Sequence, residues 1–394
     1  IQVAMLVLLL IVVIAQPQTS EVFKTSEVSR LQAALLGLAL IALIFSALVF
    51  FNLNKARPQG AFDAWSIWNR AARFIYRDTE NWRATVSPEL YWGNHADYPL
   101  LIPLNVAWAW QAVGGETQRV PMAQSGLFLF ACIGLMFASV AYQRTLGQAS
   151  LAALVLMGVP VFLTIGSGLI SDIPLTYYML AACVLLYFYF NTGRPSWLML
   201  AGLMAGLGAW TKNEGLLFVV VSLPVVALAS RKDGLIPLRT YLLGLAIPMA
   251  VVIYFKLALA PANDLFPAGG GDVLGKITDP SRYWIVLKAL GMQALSFAAW
   301  PFSIFIQLAI YAFIVRLAPP RDARQGMQAV GAILLLQMLG YCAIYILTPH
   351  DLEWQLGTTI NRLFLHLFPS ALFLYFCSVT VPEQIFAAAE MPKS

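Results

Sequence analysis

The chain is poor in charge. Only 11% of its 394 residues are Asp, Glu, Lys or Arg, against about 25% in soluble domains. That shortage excludes a water-soluble globule, a disordered chain and a nucleic-acid binder. Cysteine is also scarce. Cys132, Cys183, Cys342 and Cys377 each lie inside an apolar run and none forms a CxxC pair. They read as small core residues, not as a disulfide framework or a metal site. There is no Walker pattern and no GxGxxG opening a helix after a strand, so no nucleotide-phosphate loop. What the chain has in excess is apolar sequence: 60% hydrophobic residues and a mean hydropathy of +0.75. Its formal charge of +5 and pI of 9.0 arise from charges clustered between long apolar runs. They report membrane topology rather than an anionic partner. The class is an all-α polytopic membrane protein.

A spanning helix needs roughly 20 apolar residues. Candidate runs are 1–15, 31–51, 121–141, 149–166, 173–190, 197–212, 214–230, 238–259, 290–315, 326–347 and 363–380, about eleven in all. The first lacks a basic leader and a small-residue cleavage site, so it reads as a spanning helix cut short rather than a signal peptide. Short loops rich in basic residues mark the cytoplasmic side. Arg144, Arg194, the group Arg231, Lys232 and Arg239, and the group Arg316, Arg321 and Arg324 fall on one side under this topology. The long loop 52–120, the turn before Asp172, the loop 260–289 and the segment 348–362 then lie outside, with most of the acids. The polar chemistry faces away from the cytoplasm.

The outer segments carry the candidate chemistry. From Ala64 the first loop has helical spacing. Trp65, Trp68, Phe74 and Ile75 read as a face against the bilayer, with Arg70, Arg73 and Arg77 toward polar surroundings, an interfacial amphipathic helix. Asp63 at its edge is either a helix N-cap or a catalytic carboxylate at the lip of a membrane cavity. Asn69 lies in the same segment. Further on, His95, Asp97 and Tyr98 run into an apolar helix. A hydrogen-bonded His95–Asp97 pair is the plain reading, a metal site the sharper one. Asp172 precedes a membrane helix with Pro174 in its first turn. It is again a cap or a second active-site acid, since ionisable groups at membrane depth default to function. Lys212 and Glu214 join two apolar runs with almost no loop. Lys212 either pairs with Glu214 or binds an anionic headgroup. Finally, Asp351, Trp354 and Arg362 lie in a polar strip between two spans, where Arg362 is an interface anchor or a fork for a phosphate. Aromatic rings and carboxylates on one face suit a sugar, and cations at the membrane edge suit a lipid phosphate.

Five stretches carry a family resemblance: Gly60 to Asn69, His95 to Leu101, Asp172 to Leu175, Trp210 to Gly215, and Thr348 to Trp354 continuing through Asn361 and Arg362. With them the chain resembles the GT-C superfamily of membrane glycosyltransferases. The likeness is nearest to the bacterial branch grouped with dolichyl-phosphate-mannose–protein mannosyltransferase-like and aminoarabinose-transferase-like proteins. Where related enzymes often carry an acidic pair in the first loop, this chain has the single Asp63. The resemblance implies a GT-C-like domain over 31–380, with interfacial helices in the extracytoplasmic loop 52–120. An extra span with a cytoplasmic linker would occupy 1–30 and a short cytoplasmic tail 381–394. It also implies sugar transfer from a polyprenyl-phosphate donor to an acceptor hydroxyl at the outer face, by inverting single displacement. Asp63 would act at the acceptor as general base and Asp172 as a second acid, with Lys212 and Arg362 near the lipid phosphate. Trp65, Trp68, Asn69, His95, Asp97, Tyr98, Glu214, Asp351 and Trp354 complete the candidate substrate-binding set.

No cofactor is expected. A divalent metal held by Asp63, Asp172 and His95 stays open, since a phosphate leaving group does not require one. The expected partners are the lipid-linked sugar, a glycan, lipid or protein acceptor and the bilayer, with no nucleic acid. The expected location is the bacterial inner membrane with the site toward the periplasm or exterior. Two competing readings remain: a transporter or flippase of a lipid-linked sugar, and a non-catalytic GT-C-like subunit of a membrane complex.

Overall fold

The structure, a computed structural model, describes residues 30–90, 95–262, 272–297 and 303–384. Among these residues the chain is helical, with no strand and one isolated antiparallel bridge between Leu317 and Val379. Six helices are long and apolar enough to cross a bilayer. They are α1 (Arg30–Ala56), α4 (Arg119–Gln143), α7 (Asp172–Thr192), α10 (Ile236–Ala258), α14 (Arg324–Leu347) and α15 (Leu352–Ser378). The helices α5 (Leu146–Met157) and α6 (Pro160–Gly166) meet at a 68° bend and make a seventh span if counted together. Shorter helices complete the bundle: α8 (Pro195–Thr211), α9 (Asn213–Ala229), α12 (Pro280–Ser296) and α13 (Ile304–Val315). The long loop 52–120 adds α2 (Asn69–Arg77) and α3 (Leu101–Val113), and α11 (Val273–Thr278) precedes α12.

Every expected apolar run from 31 onward falls on a helix, but two are not single rods. The run 149–166 breaks ahead of Pro160, which starts α6 as its first residue because a proline has no N–H for a continuing helix. The run 290–315 contains Pro301 and resolves into the end of α12 and the whole of α13. The expected span 1–15 and the tail from 385 lie outside the described residues.

The helix α7 is the hub. Its residues are buried without a break from Asp172 to Tyr189, whereas only 17% of the spanning window of α1 is buried. Helices α4, α8, α14 and α15 surround α7. Lipid tails are as apolar as leucine, so such a bundle is held by close packing and by hydrogen bonds between helices rather than by expulsion of apolar surface from water. A chain turn at each end of α7 makes room for this. Gly193 ends it in the left-handed conformation at φ 68°, the usual helix stop, and Pro195 restarts the chain as α8. At the other end, the turn Ser167–Ser171 sets Asp172 at the head of the most buried helix.

Candidate active site

Two close backbone approaches assemble the site. Gly60 has φ +78°, and a Cβ on it would lie 2.5 Å from the Gly168 carbonyl oxygen. Glycine alone accepts both demands. The neighbouring Ala61 N–H donates to that same carbonyl at 2.9 Å. The start of the long loop 52–120 is thereby fastened to the turn that precedes α7, which brings Asp63 beside Asp172. At Gly215 a Cβ would fall 2.1 Å from the Gly208 carbonyl oxygen. Its bareness lets α8 turn into α9 across a single extended residue, Lys212.

Asp172 is 0% exposed and collects three side chains. Arg362 donates to it twice, from Nε to Oδ1 at 3.0 Å and from Nη2 to Oδ2 at 2.7 Å. This is the bidentate fork that makes Arg–carboxylate pairs strong. Lys212 Nζ donates to Oδ1 at 3.1 Å, and His366 Nε2 lies 2.9 Å from the same oxygen. The other ring nitrogen, Nδ1, is 3.4 Å from the Tyr341 hydroxyl. Two further carboxylates close the cluster. Glu214 Oε1 lies 2.9 Å from Lys212 Nζ, and Asp63 Oδ2 lies 2.7 Å from Arg362 Nη1. Arg362 therefore bridges the two expected acids. Three carboxylates face two permanent cations, which leaves the cluster one negative charge in excess unless His366 carries a proton.

The cluster floors a cleft of about 200 Å³. Its walls come from the outer loop (Asp63, His95, Asp97, Tyr98), from the α8–α9 junction (Lys212, Asn213, Glu214) and from α14 and α15 (Tyr341, Tyr345, Trp354, Arg362). Asp97 is fixed from two sides, by Asn213 Nδ2 at 2.7 Å and by Lys256 Nζ at 3.4 Å. Tyr98 stacks between the Trp68 ring at 5.5 Å and the His95 ring at 4.8 Å. Its hydroxyl pKa is pushed well above the usual value, first by burial and then by the nearby negative charge of Glu214. His95 sits at φ 44°, a conformation that costs free energy for a residue with a side chain and that clusters at functional sites. Among the described residues no three His, Cys, Asp or Glu side chains converge as a metal site.

The capping readings separate here. Asp63 occupies the cap position before the π-helical turn Ala64–Trp68 but makes no capping bond. Asp172 is the first residue inside α7, behind Ser171. Both carboxylates are turned to Arg362 instead. Asp351, by contrast, is an ordinary N-cap of α15, accepting from the Trp354 N–H at 2.8 Å. The expected bilayer face of the first loop holds only in part. Trp65 is half-exposed beside Phe62 and does not line the cleft. Trp68 is buried against Tyr98, because its ring faces the body of the protein. Asn69 is buried and also off the cleft. Lys212 lines the cleft, yet its ammonium is enclosed between Asp172 and Glu214 at 2% exposure.

His366, Tyr341, Asn213 and Lys256 were not among the residues singled out from sequence. His366 had a legible signal. It stands four residues after Arg362 on one helix, and residues at that spacing share a face.

Residues 99–255 match the family model for dolichyl-phosphate-mannose-protein mannosyltransferase. The matched segment holds Asp172, Lys212 and Glu214 and leaves out Asp63 and Arg362. Among solved structures, ArnT from Cupriavidus metallidurans bound to undecaprenyl phosphate superposes with a TM-score of 0.51 at 14% identity, over 86% of this chain and 59% of that one. The likeness to ArnT is one of fold. The apo form of the same ArnT gives a TM-score of 0.48 at 12% identity, over 87% of this chain and 59% of that one. The chain thus spans less than two thirds of the ArnT chain it resembles. No curated protein matches the sequence.

Proposed function

We propose that this chain is a GT-C-type glycosyltransferase that moves a sugar from a polyprenyl-phosphate donor to an acceptor hydroxyl. The observation that carries the reading is Arg362, held between Asp63 and Asp172 on the floor of the cleft. The ArnT relative is bound to undecaprenyl phosphate, and a lipid of that class is the donor we assign here. The cleft opens at the extracytoplasmic face of the inner membrane, consistent with basic short loops on the opposite side.

The chemistry follows from the charge pairing. Asp172 is fully buried and fixes one edge of Arg362, so that edge stays in place. The Nη1 edge points to Asp63 at the cleft surface, where Asp63 is 24% exposed. The donor phosphate takes over this edge and releases Asp63. The free carboxylate accepts the proton of the acceptor hydroxyl while its oxygen attacks the anomeric carbon. The bond from that carbon to the phosphate oxygen breaks, and the electron pair leaves with the polyprenyl phosphate. Arg362 holds the charge that develops there. One displacement inverts the anomeric centre. Lys212 serves as the buried counter-ion of Asp172 and Glu214 rather than as a direct phosphate ligand. His95, Tyr98 and Trp354 shape the sugar pocket.

The test is to reconstitute the protein in lipid nanodiscs with a panel of synthetic polyprenyl-phosphoryl sugars and mixed acceptors. Acceptor-dependent release of polyprenyl phosphate from at least one donor is expected. Absence of release across the whole panel, from protein whose thermal melting shows it folded, counts against transfer.

A further inference from the structure

One arginine of the first outer loop stands apart from its neighbours. On α2, Arg77 pairs with Glu116 at 2.9 Å, and Arg73 reaches Glu116 at 3.5 Å and Gln59 at 3.3 Å. Arg70 has neither. Its Nε and Nη1 are shielded from solvent and have no hydrogen-bond partner among the described residues. Among the described residues its charge meets the face of Phe74, 5.9 Å away. Two neighbours share the condition. Thr85 is 1% exposed and Trp68 2% exposed, and Thr85 Oγ1 and Trp68 Nε1 are both buried without a partner. Arg70, Thr85 and Trp68 line one small cavity, and among the described residues no acidic side chain lines it with them. His95 and Tyr98 border both this cavity and the carboxylate cleft, so the two spaces share a wall.

Arg70 is only half-buried, but two of its donors are enclosed without an acceptor, and a buried polar group without a partner calls for a missing one. The donor set says which kind. Guanidinium and indole N–H can only donate, and the threonine hydroxyl can do so. Their complement is an acceptor that carries negative charge. The cavity has room for about 10 Å³, which is one water-sized group. A single terminal oxygen of an oxyanion fits. At the neighbouring cluster an anion must first displace Asp63 from Arg362, whereas these three donors have no carboxylate to release among the described residues.

We infer that Arg70, Thr85 and Trp68 form an oxyanion subsite beside the catalytic cleft, built to take a terminal oxygen of a phosphate-class group. The site itself stands on the geometry of the outer loop. Only the assumption that its anion belongs to a substrate rests on the transfer reading. The anion arrives either on a lipid headgroup or as a phosphate from water.

Thermal melting of the full chain in nanodiscs tests this with three probes: inorganic phosphate, undecaprenyl phosphate and undecaprenol. Both phosphates raise the wild-type melting temperature if the source is general, and only undecaprenyl phosphate does so if the source is the lipid headgroup. In either case Arg70→Met weakens phosphate binding about tenfold or more, the usual worth of a charge-assisted hydrogen bond. Arg70→Lys keeps part of the binding, Thr85→Val loses a smaller part, and undecaprenol binds all forms alike. Without any anion, Arg70→Met melts no lower than wild type, because two enclosed donors without an acceptor have been removed. Undiminished phosphate binding by Arg70→Met overturns the subsite, as does an anion-free melting temperature well below wild type, which would give Arg70 a structural role. Binding is read with no transfer step. It can therefore persist if the transferase assignment fails, or fail while that assignment stands.

Discussion

Two clusters that pair opposite charges behave differently in this protein. In the long loop 52–120, Glu116 takes Arg77 and Arg73 at the surface, where Arg77 is 64% exposed and Glu116 23%. In the bundle, Asp172 takes Arg362, Lys212 and His366 with essentially no exposure of its own. The surface group sits in water, is screened by salt and contributes little. The buried group carries a heavy desolvation cost that apolar packing would avoid. A cost of that kind persists for chemistry or specificity, not for stability. The contrast separates charges that decorate the loop from charges that define the site.

Breaking the buried side has the largest effect. Asp172→Ala leaves Arg362 and Lys212 without their shared carboxylate. Removing one partner of a buried charge pair costs about 3–5 kcal/mol, so the variant is expected to melt far lower in detergent and to show no transfer. A near wild-type melting curve would show that the cluster is not structurally coupled. Gly60→Ala comes next. It forces a side chain into a left-handed backbone position and against the Gly168 carbonyl oxygen, with strain of about 1–3 kcal/mol. It should shift Asp63 from Arg362 and reduce transfer more than it reduces melting temperature. His366→Ala removes one hydrogen bond to Asp172 and leaves a small void, at about 1–3 kcal/mol. Its melting temperature should fall less than that of Asp172→Ala, and an equal fall would make the imidazole as important as the carboxylate.

The surface side gives the smallest effect. Glu116→Gln should leave transfer unchanged and melting nearly so. A pH series sharpens this. The Arg77 hydrogen bond holds the Glu116 pKa below its ordinary value of 4.5. A carboxylate with a depressed folded-state pKa stabilises the fold above its unfolded pKa and loses that contribution as pH falls through the folded value. The small difference between wild type and Glu116→Gln should therefore be present at neutral pH and vanish in acid. A difference that grew on acidification would contradict the assigned sign.

The fold was largely legible in the sequence, because hydropathy alone marks bilayer-crossing helices. The site was legible as a set of residues but not as an arrangement. Asp63 and Asp172 stood out because acids at membrane depth are rare, yet each was as readily a helix cap, and only the orientation of the side chains decides between these. Asp351 was singled out as part of the polar strip between two spans and is a cap. The helix α7 is apolar on every side, so no periodicity in it indicates which neighbours meet its first residue. Lys212 was visible as a cation near the outer face, but nothing local shows that Asp172 arrives from 40 residues away to enclose it. Trp68 fitted a bilayer-facing stripe by spacing. The stacking on Tyr98 that turns it inward is a contact between distant segments, which spacing cannot report.

The central claim is that Asp63, once released by Arg362, removes the acceptor's proton. It is tested most directly by single-turnover transfer with Asp63→Asn, loaded with whichever polyprenyl-phosphoryl sugar the wild type accepts. The isosteric amide keeps the fold and loses the base, so transfer should slow by about 10²–10⁴-fold with little change in melting temperature. Transfer at the wild-type rate would contradict the account and remove Asp63 from the chemistry.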